Sequence, residues 1–419
     1  MRRYSLLRFD RSHSPETNMS LDDDARQLHA SLTVVDLHCH PTLPLYLFGR
    51  KFHASDNTAS TGFDLFGLLS QFATDAKRLE AGNVAGICSA VYVPEHDLLS
   101  TCFLMNFAVP AIQNHHQILD RSYFDTANLI LDAMDAAVAE ANNNGFHVEV
   151  ATSAANLRSI KAAGKIAVVH ALEGGHMLQG EGENPAQSPP NTMEYLNRVD
   201  HFHARGCAYM TIGHFFKNDL TGTVEGFAPM IRQTRCFDVP HDPTDGLSSV
   251  GRAVVEHMLE KKMIVDMTHT TPATRSQIIA LNRSTGLNRP LVFTHVGVNH
   301  FCSGEDMGPT DTELRAIADS GGVVGVISMN YWLNGDETEG NGLDNMVATM
   351  RYIRDTVGID HVALGTDFDG FTDPCDDFFD SSMMPVMTRA LLADGGFTED
   401  DIRKIMGENV LRVLADGWR

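Results

Sequence analysis

Val34-Val35-Asp36-Leu37-His38-Cys39-His40-Pro41 is the stretch on which the reading of the chain turns. An apolar, β-prone run from Leu32 to Val35 leads directly into two histidines spaced two apart. On an extended strand, side chains at i and i+2 point to the same side. His38 and His40 therefore project together from the end of a strand, as two imidazoles must to share one metal ion. Alone, an H-x-H near an apolar run is more often incidental than a metal site. Its meaning depends on whether other apolar runs also end in ligand residues.

They do. Ile166–Leu172 ends on Glu173-Gly174-Gly175-His176, and Ala208–Ile212 ends at Gly213-His214. Met263–Thr268 leads to His269, Leu291–Thr294 to His295, and His361–Thr366 to Asp367. Two further apolar runs, Val84–Val93 and Val323–Met329, are assigned no ligand. Nearly continuous apolar runs suit strands buried on both faces, as in a parallel sheet. Helical patterns separate them, at about 63–80, 106–144, 192–205, 247–262, 274–284, 310–320 and 342–357, with two more near 385–392 and 398–414. Residues 41–61 read as a loop, and 215–246 as a long irregular stretch of the kind that is usually functional.

Eight such runs in one β/α alternation predict an α/β fold, a (β/α)8 TIM barrel of the metal-dependent hydrolase type. The structural alternative is a doubly wound open sheet, but no G-x-G-x-x-G follows the first strand to support nucleotide binding. The division expected is an N-terminal extension over residues 1–30 and the barrel domain over 31–419. The first 20 residues are polar and expected to be poorly ordered, with a short helix from Leu21 to Ala30 leading into the first strand.

Composition narrows the function. Among 419 residues, 54 acidic against 32 basic side chains give a formal net charge of −22, and no basic face is evident. That excludes nucleic acid or an anionic membrane as a main partner. Seven cysteines (Cys39, Cys88, Cys102, Cys207, Cys236, Cys302, Cys375) are scattered, odd in number and without a C-x-x-C pair, so neither a disulfide framework nor a zinc knuckle is expected. Free thiols, with no apolar run that reads as a leader, membrane span or anchor, make the cytoplasm the expected location.

In a (β/α)8 barrel, catalytic residues gather at the C-terminal ends of the strands. Here those ends hold His38, His40, Glu173, His214, His269, His295 and Asp367. Imidazole nitrogens and carboxylate oxygens are the donors that zinc and similar divalent ions take. Five histidines and two carboxylates exceed one tetrahedral site but suit two metals bridged by a carboxylate, which together activate a hydroxide and polarise a carbonyl. Any one of these residues alone reads as a satisfied core side chain. Glu173 would then bond the Gly174-Gly175 turn, and Asp367 would cap the following helix. That all should be structural, each at the same end of its strand, is the weaker reading. His170, His201, His203 and His257 read as structural or surface residues, and His176, His241 and His300 as loop residues without a role. Asp266 and Asp369 compete for the carboxylate roles.

At this point the sequence resembles the amidohydrolase superfamily and, within it, the membrane (renal) dipeptidase family of metallopeptidases, peptidase family M19. The likeness runs from about residue 31 to 416. It rests on Ala171-Leu172-Glu173-Gly174-Gly175-His176, Tyr209-Met210-Thr211-Ile212-Gly213-His214, Val265-Asp266-Met267-Thr268-His269 and Val362-Ala363-Leu364-Gly365-Thr366-Asp367-Phe368-Asp369-Gly370, closed by Ile405 to Val413. The resemblance implies that His38, His40 and Asp367 hold one metal and His269 and His295 the other, with Glu173 bridging. The metals would be two divalent ions, Zn2+ first among them. It also implies that His214 contacts the substrate carbonyl or oxyanion. Asp367 would accept the proton of a metal-bridging hydroxide and pass it to the leaving amine. A homodimer is implied too.

Two departures from the family pattern stand out. The dipeptidases carry H-x-D on strand 1, where this chain has H-x-H, one negative charge fewer. They also place an arginine after strand 6 to pair with the free carboxylate of a dipeptide. The corresponding Ser303-Gly304-Glu305-Asp306-Met307-Gly308-Pro309-Thr310 puts Met307 or a neighbour there. Arg232 and Arg235 are candidate substitutes. The expectation is a binuclear zinc hydrolase that cleaves a peptide or amide bond of a small substrate, a dipeptide by resemblance. The alternatives are a non-dipeptide amide, N-acyl amino acid or lactone as substrate, or a barrel that binds metal without catalysis.

Overall fold

The computed structural model describes residues 15–58, 71–96, 114, 118–180, 191–227, 241–302, 306–334, 342–370 and 373–419. Nine parallel strands make one sheet: β1 (Val34–Cys39), β2 (Val84–Val91), β3 (Val148–Ala151), β4 (Ile166–Glu173), β5 (Tyr209–Thr211), β6 (Ile264–Asp266), β7 (Leu291–Val296), β8 (Val323–Val326) and β9 (Val362–Leu364). Eight of them run in the order β1-β2-β4-β5-β6-β7-β8-β9. The ring closes beyond the last strand. His40 N donates to Phe368 O at 2.7 Å and Asp367 N donates to His38 O at 2.9 Å, beside a parallel bridge between Cys39 and Phe368. This is a (β/α)8 barrel.

Period-2 alternation builds its two layers. Along β4, Ala167, Val169 and Ala171 pack inward with Val35, Leu37, Cys88, Tyr209, Val292 and Ala363. Ile166, Val168 and Leu172 pack outward, in the larger layer shared with the helices. The inward side is rich in small residues, as a closed barrel of this size requires. The C-terminal helix Asn409–Gly417 adds Val410, Val413, Leu414 and the following Trp418 to the inner cluster. It is pinned to the starts of the strands: Asn409 Nδ2 donates to Ile359 O and Val362 O at 2.8 Å each. One end of the barrel is thus plugged. The strand C-termini are left to form the site.

Helix starts are set by short polar caps. Ser122, Ser153, Ser248, Thr271 and Thr310 each accept an amide hydrogen from the first turn of the helix that follows. Thr271 matters most, because it starts the helix Pro272–Ser284 only two residues beyond His269. The loop carrying that histidine is therefore anchored at both sides.

The structure departs from the sequence reading in several places. β3 was not anticipated, because Val148-Glu149-Val150-Ala151 has no sustained apolar run; it pairs with the first half of β4, while β5 pairs with its end. Thr42–Phe48, read as loop, is a helix. The N-terminal helix begins at Pro15 rather than Leu21, and it packs through His29 onto the helix Met384–Asp394, where Thr388 meets it. Within the segments expected helical near 63–80 and 106–144, helices cover Ala76–Ala81 and Tyr123–Asn143, with 59–70 and 106–113 outside the described residues. No helix among the described residues is long and apolar enough to cross a membrane.

Candidate metal centre

The strands end earlier than their apolar runs. β5, β6 and β9 stop at Thr211, Asp266 and Leu364, so His214, His269 and Asp367 each sit three residues past a strand end. His269 and Asp367 take the left-handed backbone, at φ 64° and 58°, a conformation that is uncommon away from glycine and recurs at functional sites. His38 and His295, by contrast, lie inside strands where the ladder breaks register, between Asp36 and Cys39 and between Phe293 and Val296. Such irregularities re-aim a side chain. Gly325 and Gly365 make room for the break in β7, since a Cβ on either would lie within 2.0 Å of Thr294 O.

The seven residues expected at the site come together, the five histidines around Glu173 and Asp367 beside His38 and His40. Its Oε1 lies 3.2 Å from His38 Nε2, 3.3 Å from His295 Nε2 and 3.5 Å from His269 Nε2. Its Oε2 lies 3.1 Å from His40 Nε2 and 3.4 Å from His214 Nε2. Asp367 Oδ1 adds contacts of 3.2 Å to His40 and 3.7 Å to His38. Two imidazole pairs meet nitrogen to nitrogen at 3.0 Å, His38 with His40 and His269 with His295. The centre is buried; Asp367, 7% exposed, is its most accessible member.

Hydrogen bonds on the far side of two rings fix which nitrogen is bare. The Tyr209 hydroxyl donates to Leu37 O at 2.9 Å, so at 2.9 Å from His38 Nδ1 it must accept that nitrogen's proton. Thr294 Oγ1 donates to Asp266 Oδ2 at 2.6 Å and likewise accepts from His295 Nδ1 at 3.0 Å. In their neutral form both rings then present an unprotonated Nε2 to a carboxylate oxygen of Glu173. Lone pairs facing one another across little more than 3 Å, in a buried pocket, call for a cation between them. Two nitrogens bound to one ion at about 2.1 Å lie roughly 3.0–3.4 Å apart, which is the spacing of the two imidazole pairs. The donor set therefore fits divalent metal. His38, His40 and Asp367 form one candidate metal-holding group, and Glu173, His214 and His269 another.

The charges tell the same story. Burial pushes His40 down, but Glu173 and Asp367 outweigh it and raise the imidazole to about 10. Burial pushes Glu173 up, yet His214, His40 and His38 hold it well below the usual carboxylate range. Burial, reinforced by His38, depresses His295, and burial depresses His269. Two carboxylates sunk among imidazoles thus hold positive charge in the pocket.

Asp266 and Asp369, the competing carboxylates, are committed elsewhere. Asp266 is close enough to His38 and His295 to count as a metal donor on distance alone. Its oxygens already accept from Thr211, Thr268 and Thr294, five hydrogen bonds in all. Asp369 accepts from Ala73 N, Thr74 N and Thr74 Oγ1, tying the 71–75 loop over the site. Asp36 performs a similar service between His38 N and Thr366.

Among the loop histidines, His176 is buried and bonded to Val93 O at 2.8 Å. The residues that sequence reasoning missed surround the rings. Tyr92 and Glu95 follow β2, to which the sequence reading assigns no ligand, and the buried Phe215 and Trp332 pack on His214, His269 and His295. Pro94-Glu95, a carboxylate just past an apolar run, was the one available signal.

Met307, which with its neighbours is where the resemblance would put the expected arginine, is buried. Its segment is held by Arg275, whose guanidinium donates to the carbonyls of Asp306, Met307 and Gly308. That cation is already committed. Ser303 to Glu305, Arg232 and Arg235 lie outside the described residues.

A sequence model of the membrane dipeptidase family, peptidase family M19, matches residues 22–417. The chain belongs to this family. The dipeptidase ataJ of Aspergillus terreus is 26% identical over 347 residues, 81% of this chain and 76% of its own length. The dipeptidase aclJ of Aspergillus oryzae is 25% identical over 67% of this chain, a match that spans 55% of that relative's length. Among solved structures, a metallo peptidase from Rhodobacter sphaeroides, liganded with a phosphinate mimic of the dipeptide L-Ala-D-Ala, superposes with a TM-score of 0.68. It is 19% identical, over 92% of this chain and 99% of that one, and so speaks to the fold.

Proposed function

We propose that this M19 chain is a metal-dependent hydrolase that cleaves the amide bond of a small substrate, with dipeptides as the first class to test. The observation that carries this reading is the convergence of His38, His40, His269 and His295 on Glu173, with Asp367 against His38 and His40 and the Nε2 atoms turned inward. His38, His40 and Asp367 would hold one divalent ion, zinc being the leading candidate. His269 and His295 would hold a second, and Glu173 would lie between the two. Bound there, such ions polarise an amide carbonyl and make water a competent nucleophile near neutral pH.

The chain's own groups do the rest. Asp367, the most exposed carboxylate of the centre, takes the proton of the attacking water and delivers it to the departing amine, as a general base and then acid. His214 faces the centre through Nε2 and holds the substrate carbonyl oxygen as charge develops on it. Tyr92, Phe215 and Trp332, packed on the ligand rings, keep bulk water away from them.

Committed Arg275 and buried Met307 favour a second reading of the substrate, an amide or N-acyl amino acid recognised without a carboxylate clamp on the segment after β7. A bidentate guanidinium is hard to replace in carboxylate recognition. A panel of dipeptides, their C-terminal amides, N-acyl amino acids and lactones, assayed with zinc-loaded protein, decides between them. Dipeptide turnover that is lost on amidation supports the family substrate. Turnover confined to N-acyl amino acids or lactones supports the second reading, and no turnover of any member contradicts both.

A further inference from the structure

The carboxylate of Glu95 is buried four residues past the end of β2, with no lysine or arginine among its hydrogen-bond partners in the described structure. Burying a charge is costly unless specific partners meet it. Glu95 has two. Its Oε1 lies 3.1 Å from His214 Nδ1, and its Oε2 accepts from the Tyr92 hydroxyl. The His214 ring is held from both sides, by Tyr92 at 4.3 Å and Phe215 at 3.9 Å between centroids. Its other nitrogen, Nε2, points at the centre, 3.4 Å from Glu173 Oε2. Glu95 therefore touches His214 on the side away from the site, and neither of its hydrogen bonds goes to the residues proposed above to hold metal.

We infer that Glu95 is a positioning residue for His214: it accepts from Nδ1–H and fixes the ring so that, in the imidazolium form, Nε2–H is donated to the substrate carbonyl. The inference rests on the role proposed for His214. An orienting carboxylate of this kind selects one ring rotation and favours the charged ring, whose Nε2–H can meet a developing negative charge. Charge supports the pairing: His214 and His176 outweigh burial and bring Glu95 down to about 2. The geometry also makes the two oxygens non-interchangeable with an amide. Glutamine offers one acceptor oxygen where Glu95 offers two, so in Glu95→Gln either Tyr92 or His214 loses its acceptor.

The test is Glu95→Gln in the full chain, alone and combined with His214→Ala, using the substrate that the panel identifies. Glu95→Gln should lower kcat about 10–100-fold with KM little changed, the usual cost of removing an outer carboxylate. Metal content should match the parent, and the variant should remain folded at the assay temperature. In the His214→Ala background the same substitution should cost nothing further, because its effect passes through the missing ring. Nitrogen-15 NMR of histidine-labelled, metal-free protein gives a readout independent of turnover: the His214 Nδ1–H signal should be present in the parent and altered in Glu95→Gln. An equal loss of kcat with and without His214, or an unchanged His214 signal, overturns the inference. If the parent binds no metal and cleaves nothing, the functional reading fails, and the NMR comparison still decides whether Glu95 fixes the ring.

Discussion

Tyr209 reaches across the barrel interior from β5 to His38 on β1, where its hydroxyl accepts the Nδ1 proton while donating to Leu37 O. One side chain thus sets the tautomer of a candidate ligand on a strand it does not pair with. Tyr209→Phe removes that partner and leaves two buried polar groups unmet, at about 1–3 kcal/mol of stability. Metal affinity should fall about 10–100-fold. Chelator competition with zinc-loaded parent and variant measures the change, and equal affinities would separate Tyr209 from the centre.

Gly370 supplies the space that Asp367 needs. A Cβ at this position would lie 2.4 Å from Asp367 Oδ1 and 2.9 Å from its Cγ. Gly370→Ala should therefore displace the carboxylate and lower kcat at least about 10-fold, since a misplacement of 1 Å in a catalytic group is costly. Circular dichroism and steady-state assays of the variant check this, and a variant with parental kcat would show that the carboxylate position is not limiting.

His29 provides a pH test far from the centre. Its Nε2 lies 3.0 Å from Gly82 O and its Nδ1 lies 2.8 Å from Thr388 Oγ1. Burial lowers its pKa below the ordinary 6.5, with the Gly82 carbonyl pulling the other way. The fold thus prefers the neutral ring. As pH falls below about 6.5 the unfolded chain takes up a proton before the folded one, so stability is present above that value and lost beneath it. Urea midpoints between pH 8 and 5 should decline, and His29→Gln should flatten the decline. Identical slopes in parent and variant would exclude His29 as the source.

Much of this molecule was legible in the order of its apolar runs. His38, His40 and Glu173 were found because each stands on a strand whose run points straight at it. His214, His269 and Asp367 were found for a slightly different reason, since each lies on a three-residue step beyond its strand. Periodicity does not record where backbone pairing stops, because apolar residues continue through the step. The short strand Val148–Ala151 escaped notice because four residues, buried at the ends and half-buried between, leave no period to read. Glu95 and Tyr209 were not read as site residues because what they do is defined by a partner more than 100 positions away in the sequence, and Trp332 because its partners His269 and His295 are brought to it by folding. The committed state of Arg275 likewise depends on carbonyls brought to it by folding.

Glu173 is the one residue that touches all five imidazoles of the centre. Glu173→Gln keeps its shape and removes its charge. It should lose metal and turnover together, to less than about 1% of parental kcat, because the buried histidines then lack the anion that offsets bound cations. A variant that keeps both metal and activity would remove Glu173 from between the ions.

Elemental analysis of the folded, full-length protein, purified without chelators, tests the central claim most directly. About two divalent ions per chain are expected, zinc foremost, released together with activity by chelator and restored by zinc. A fully folded protein that contains no divalent metal and takes up none on incubation would contradict it.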